Sequence, residues 1–370
     1  MTSRLRRSAA AGALLLPLLV LSVAGPVSAE STDNHVDGNV IIYTETNAPA
    51  GNEIIAFQKG GGTLTQLGKY ATGGKGSGLG LGSQGAVVTD DDHLLAVNAG
   101  SSQVSLLSIQ DDGSLQLADI EPSGGANPVS IAVRDDLVYV VNAGSNTVAG
   151  FRIHDNQLEA IKGSGQSIPG NGAAQISFDN TGRRLIVTLK ATNTIDVLPV
   201  NRNGVAGAAV SNPSSGQTPF GFNIDSRNTL VVSNAAGGGP GASSVSSYRF
   251  DGPTGLRTVS SAVADTQTAA CWIEFSANEK FAFTTNTGSG TISSYRLARG
   301  GSLTLAEAVA ATPGAGPIDM IQADGSLFTL NGTATTISAH NIGREGALTA
   351  AGQVSVPAGV VGLAASNTDH

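Results

Sequence analysis

One cysteine in 370 residues, Cys271, leaves no partner for an internal disulfide, so the fold must be held by its core. Histidine is nearly as scarce. His35, His93, His154, His340 and His370 are scattered along the chain without a metal-ligand spacing, and nothing in the sequence calls for a metal or another cofactor. Aromatic residues make up 4% of the chain, including one Trp, so a core here is built mainly from aliphatic side chains. Basic residues are outnumbered, 20 against 28 acidic, for a net charge of −8, which makes nucleic acid an improbable partner. Few stretches keep a helical period for three turns.

Long apolar runs are missing as well, except at the start. Arg4, Arg6 and Arg7 precede an apolar run from Ala9 to Val23 that ends at the small-residue site Val27-Ser28-Ala29, the pattern of a secretory signal peptide cleaved after Ala29. The run contains Pro17 and falls short of the roughly 20 residues that span a bilayer, and no later segment reaches that length. The expected product is a secreted or periplasmic protein with no integral membrane segment after processing. Its parts are the signal at 1–29, a tail at 30–39, one domain at 40–366 and a short tail at 367–370.

What is abundant is glycine, 49 residues, together with Val, Ile, Thr and Ser, a composition suited to short strands and tight turns. The stretch Leu137 to Phe151, LVYVVNAGSNTVAGF, reads as a β-hairpin, and relatives of it recur. Its Asn aligns with Asn47, Asn98, Asn142, Asn234, Asn286 and Asn331, with Lys190 in that slot in the fourth repeat. A second marker, a Gly-x-Leu or similar turn, ends at residues 64, 115, 158, 205, 256, 303 and 348. The period of 43 to 51 residues fits four short strands and their turns, the size of a propeller blade.

Each repeat after the first also has an apolar strand before its hairpin, such as Pro128 to Val133 or Cys271 to Phe275. The first repeat lacks one, and Pro357 to Leu363 supplies a spare after the last. The predicted fold is all-β: a seven-bladed β-propeller of four-stranded antiparallel blades, its ring closed by the C-terminal strand joining the first blade.

The apolar inner strand, the Asp/Asn/Gly turn, the motif LYVVNAGSNTVAGF and the Gly-x-Leu turn together resemble the lactonase family of seven-bladed propellers over residues 40 to 365. That family includes propeller-type 6-phosphogluconolactonases and carboxymuconate cyclases. The resemblance implies lactone hydrolysis or cycloisomerisation, by an Arg-His pair at the start of inner strands with an acidic residue. Here the His column reads Gly85, Ser130, Gln175, Gly221, Trp272 and Asp319, and the Arg column Gln84, Val129, Ala174, Phe220, Cys271 and Ile318, so no repeat retains Arg-His.

Candidate residues are therefore those that break the repeat near the channel. Lys190 is read as an anchor for a carboxylate or oxyanion, and Asp319 or Glu274 as general base. Trp272, on the same side of its strand as Glu274 if alternation holds, is a stacking platform; Gln175 and Ser130 are further ligand-binding positions. Two functions stay open. One is an exported lactonase-like enzyme acting on a lactone or related carboxylate at the channel mouth. The other is a non-catalytic propeller outside the cytoplasm, whose partner is a small molecule, a cell-wall component or another protein.

Overall fold

The β-branched and aliphatic runs form short strands wherever Gly, Asn or Asp breaks the chain between them. In the computed structural model the described residues are 40–60 and 62–367, so the signal and tail read at 1–39 and the last three residues lie outside them. No helix among the described residues is long and apolar enough to cross a membrane. The described strands form seven antiparallel sheets in sequence order, one per blade. The third blade is typical, with Pro128–Arg134 innermost, then Leu137–Asn142, Thr147–His154 and Gln157–Ala160. A two-residue strand, Gln166–Ser167, adds to its third strand.

The ring closes as the sequence predicts, although the closing strand lies slightly later. Val361–Asn367 is the innermost strand of the first blade and pairs antiparallel with Val40–Glu45. The expected start at Pro357 fails because Gly359 holds a turn at φ 86°. The strand also runs one residue past the expected end of the domain.

Blades cohere through apolar faces packed on their neighbours. Tyr139 and Val141 of the third blade meet Ile176, Leu185 and Val187 of the fourth in one buried cluster. Burial of each such aliphatic side chain contributes about 1.5–3 kcal/mol. The Gly-x-Leu marker has a related cause. Gly113 and Gly204 sit at φ near 77° and 78°, and their carbonyls accept the hydroxyls of Tyr43 and Tyr139 from the preceding blade at 3.0 and 2.7 Å. Leu115, two residues after Gly113, is buried beneath that contact.

Strand register defines two ends of the channel. Every inner strand but the second blade's begins opposite the last residue of the second strand, as in Pro128 with Asn142 and Pro317 with Asn331, so the Asn hairpins mark one end. The turns between inner and second strands, such as that between Arg134 and Leu137, mark the other. These are called the hairpin end and the turn end below.

This register corrects the alignment of the hairpins. In the fourth blade Ala173 pairs with Leu189, so Leu189 takes the Asn column and Lys190 stands one residue beyond it. In the first blade the column holds Glu45, opposite Val361, and Asn47 lies past the strand. A hypothetical Cβ on the glycine entering the blade confirms the equivalence: at Gly125 it would lie 2.6 Å from Asn142 Cγ, and at Gly170 2.5 Å from Leu189 Cδ1. The column asparagines do structural work. Asn98, Asn234, Asn286 and Asn331 donate to Ser105, Ser246, Ser293 and Ser338 on the adjoining third strand, at 2.7–3.1 Å.

Candidate functional site

The inner strands converge on the axis, but one of them is cut short. In the second blade it keeps only Val87–Thr89, because the residues before it leave the sheet. Gly82 accepts a hydrogen bond from Lys190 Nζ through its carbonyl, and Ser83 O accepts from Trp272 Nε1 at 3.2 Å. Ser83 Oγ donates to Val129 O at 2.7 Å, and Gln84 N to Ala174 O at 2.9 Å. A segment of the second blade that bonds to the third, fourth and sixth must lie across the channel. Residues 82–85 form a strap over its hairpin end.

The strap also delivers a side chain. Gln84 accepts the Ile273 N–H through Oε1 at 3.4 Å, which fixes its amide so that Nε2 faces Glu274 Oε1 at 3.3 Å. Asn223 Nδ2 donates to Glu274 Oε2 at 3.1 Å. Asp319 accepts two backbone N–H groups, Met320 on Oδ1 at 2.8 Å and Leu363, from the closing strand, on Oδ2 at 2.9 Å. Below the strap, Glu274, Asp319, Gln84 and Gln175 line a cavity of about 260 Å³ whose remaining wall is largely aliphatic.

Both carboxyl groups are buried, at 8% and 1% exposure. Burial, aided by the negative charge of Asp319, pushes Glu274 up to about 8. Burial likewise pushes Asp319 up to about 8, against the opposing pull of its two backbone donors. Both groups are therefore largely protonated at neutral pH; as pH rises toward 8, ionisation of Asp319 holds the proton on Glu274, and the pair then has a proton to give and a site to receive one.

Of the residues proposed from sequence, Glu274, Asp319 and Gln175 line this cavity. Gln175 is occupied by the fifth blade: it donates to Phe222 O at 2.9 Å and accepts the Phe222 N–H at 2.6 Å. Ser130 does not line the cavity; its Oγ donates to Gln84 O at 2.6 Å and accepts the Ile176 N–H at 3.1 Å, holding the strap. Trp272 does not share the face of Glu274, because the register shifts between Ala270 and Ile273 and breaks the alternation. Its ring packs on Phe220, 5.1 Å between centroids.

Lys190 is on the strap side of this layer, its Nζ 4.6 Å from the Phe220 centroid, and it does not line the cavity. Desolvation lowers its pKa from the usual lysine value. Cys271, also on that side, is buried and its thiol is pushed up to about 11, which makes it a poor nucleophile. Gln84 and Asn223 were missed as partners of Glu274. A polar residue at the head of an otherwise apolar inner strand was the available sign of Gln84, but only the diverted strap shows where it points.

Fold and site together define a seven-bladed β-propeller with a ligand-sized cavity in its channel. The family model for the seven-bladed propeller lactonases matches residues 50–164 and 234–326, more than half of the chain. The chain belongs to that lactonase family. Among curated proteins it is similar to a 6-phosphogluconolactonase of Pectobacterium atrosepticum, 27% identical over 132 residues, a match spanning 35% of this chain and 39% of that protein's length. Among solved structures it is similar to a putative 6-phosphogluconolactonase of Bacteroides uniformis, at TM-score 0.74 and 15% identity, over 89% of this chain and 100% of that one. A periplasmic gluconolactonase of Pseudomonas aeruginosa matches at TM-score 0.69 and 14% identity, over 90% and 99% of the two chains. At such identities these structures speak for the fold.

Proposed function

We propose that this protein hydrolyses a lactone in the channel cavity, with Asp319 and Glu274 as its acid–base pair. The observation that carries the reading is the buried carboxyl pair, both members raised to about 8 and both facing one cavity; family membership supplies the reaction class. Water attacks the lactone carbonyl and gives its proton to the Asp319 carboxylate, while the Glu274 carboxylic acid donates a hydrogen bond to the carbonyl oxygen. Collapse of the tetrahedral intermediate breaks the ring C–O bond, and the departing alkoxide takes the Glu274 proton. The product is a hydroxy acid, and its ionisation releases one proton per turnover.

Titrating that proton release with purified residues 30–370 and a panel of sugar lactones and simple γ- and δ-lactones tests the reading. Glu274→Gln and Asp319→Asn are each expected to lower kcat/KM by roughly 10²–10⁴-fold. Full turnover in either variant would remove the pair from the mechanism. A propeller that binds its ligand unchanged is the second reading, favoured by the lack of any imidazole or guanidinium lining the cavity among the described residues; recovery of the ligand intact from the folded protein separates the two. Export is part of the same proposal, resting on residues 1–29, and N-terminal sequencing of protein collected outside the cytoplasm should begin at Glu30.

A further inference from the structure

We infer that the substrate is a lactone without negative charge, and that it reaches the carboxyl pair through the turn end of the channel. This rests on the hydrolytic reading above and narrows it. Charge is the first argument. Among the described residues, none that lines the cavity is Lys, Arg or His, whereas two are carboxyl groups. A phosphorylated or carboxylated lactone would bring an anion into a desolvated acidic site with no counter-charge. An uncharged polyhydroxy lactone meets hydroxyl and carboxyl groups that can hydrogen-bond it. Its hydrolysis then creates a carboxylate beside Asp319 and Glu274, and that repulsion favours product release.

Route is the second argument. The hairpin end is stopped by the strap, which Lys190, Trp272 and Gln84 hold from the fourth and sixth blades and across the axis. Lys190, whose Nζ bonds the Gly82 carbonyl and which does not line the cavity, is thus on the far side of the stopper from the carboxyl groups. Toward the turn end the lining loosens: Thr89, Ser177 and Ile321 are half-buried, while Gln84, Gln175 and Asp319 above them are buried. The adjoining rim between the second and third blades carries Asp90, Asp91, Asp92, Asp135 and Asp136. Its basic residues are already paired: Arg134 lies 3.9 Å from Asp135, and His93 Nδ1 lies 3.2 Å from Asp90. An anion is disfavoured at this stretch of the rim as well as within, although the next stretch, toward the fourth blade, carries Arg152, Arg183 and Arg202.

Two measurements test this, one of them independent of turnover. With glucono-1,5-lactone and its 6-phosphate as paired substrates, kcat/KM should favour the uncharged lactone by at least about 100-fold, equivalent to roughly 2.7 kcal/mol. Equal or better use of the phosphate would overturn the inference. The uncharged gluconolactam and its 6-phosphate, which are not hydrolysed, are then compared by calorimetry. Binding of the lactam alone upholds the charge preference even if no lactone is turned over, in which case it is the hydrolytic reading that falls; preference for the phosphate, or binding of neither, rejects the inference. For the route, a small methanethiosulfonate reagent should modify Ser177→Cys and abolish lactam binding. Native Cys271, behind the strap, should remain unmodified in the folded protein. Loss of lactam binding through Cys271, with Ser177→Cys unreactive, would place the opening at the hairpin end instead.

Discussion

At the scale of single residues, the raised carboxyl pair has a consequence for stability that does not depend on any reaction. In the unfolded chain Glu274 and Asp319 ionise near 4.5 and 3.8, and in the folded protein both are pushed up to about 8. Below about pH 4 both states hold the protons and the groups cost nothing. As pH rises from there toward 8 the unfolded chain binds fewer protons than the folded one, so stability falls through this window and levels off above it. Thermal unfolding at pH 5, 6, 7 and 8 should show a declining Tm that flattens in the Glu274→Gln/Asp319→Asn protein; equal slopes in the two would mean the pair is not buried as described. These two residues stood out in the sequence because acids at the inner-strand head and middle break an apolar pattern. Lys190 stood out for the same reason, yet its position was misjudged by one place, since Leu189 fills the column and a one-residue step turns a side chain to another face. Trp272 was misplaced by a β-bulge, which no pattern of residue types announces.

At the scale of elements, the strap decides the geometry of the site, and the glycines near it divide into those that bear on that geometry and those that do not. Gly221, in the inner strand Pro219–Ile224, faces the strap: an added Cβ would collide with Gln84 Oε1 and lie 2.5 Å from Cys271 O and 2.9 Å from Trp272 Cα. Gly80, two residues before the strap in the connection that carries it, has nothing within 4 Å of that position. Gly221→Ala should therefore cost roughly 1–3 kcal/mol in urea unfolding and weaken turnover by displacing Gln84 from Glu274. Gly80→Ala should stay within about 0.5 kcal/mol of the parent. A neutral Gly221→Ala would show that the strap gives way freely. Strands of this kind are legible because apolar runs and turn residues are local signals, and the inner strands Pro128–Arg134 and Ala270–Phe275 fall where the sequence puts them to within a residue. The strap is not, since a Gly-rich connection reads the same whether it skirts the rim or crosses the axis; its path is set by bonds to residues more than a hundred positions away.

At the scale of the whole molecule, closing the ring and completing the site are one event. The strand Val361–Asn367 pairs with Val40–Glu45, and Thr44 Oγ1 donates to Val361 O at 3.1 Å. The same strand places Leu363, Ala364 and Ala365 in the cavity wall and gives the Leu363 N–H to Asp319. Val360, Val361 and Leu363 are buried at 2–7% exposure, so a chain ending at Gly359 exposes the surfaces they cover and forfeits on the order of 5–9 kcal/mol, taking about 1.5–3 kcal/mol for each side chain. It also leaves Val40–Glu45 as an unpaired strand edge facing the channel. Such a truncation should melt at least about 10 °C lower than the full domain and lose lactone turnover together with its fold. A synthetic peptide of residues 357–370, added in excess, should raise the melting temperature by occupying the vacant strand position. An unchanged melting temperature in the truncated chain would refute closure by this strand. Recovery of stability on adding peptide, compared between the native peptide and one with Leu363→Pro, then separates the two roles: the proline peptide lacks the N–H that Asp319 accepts, so it should restore less turnover than its effect on melting would lead one to expect.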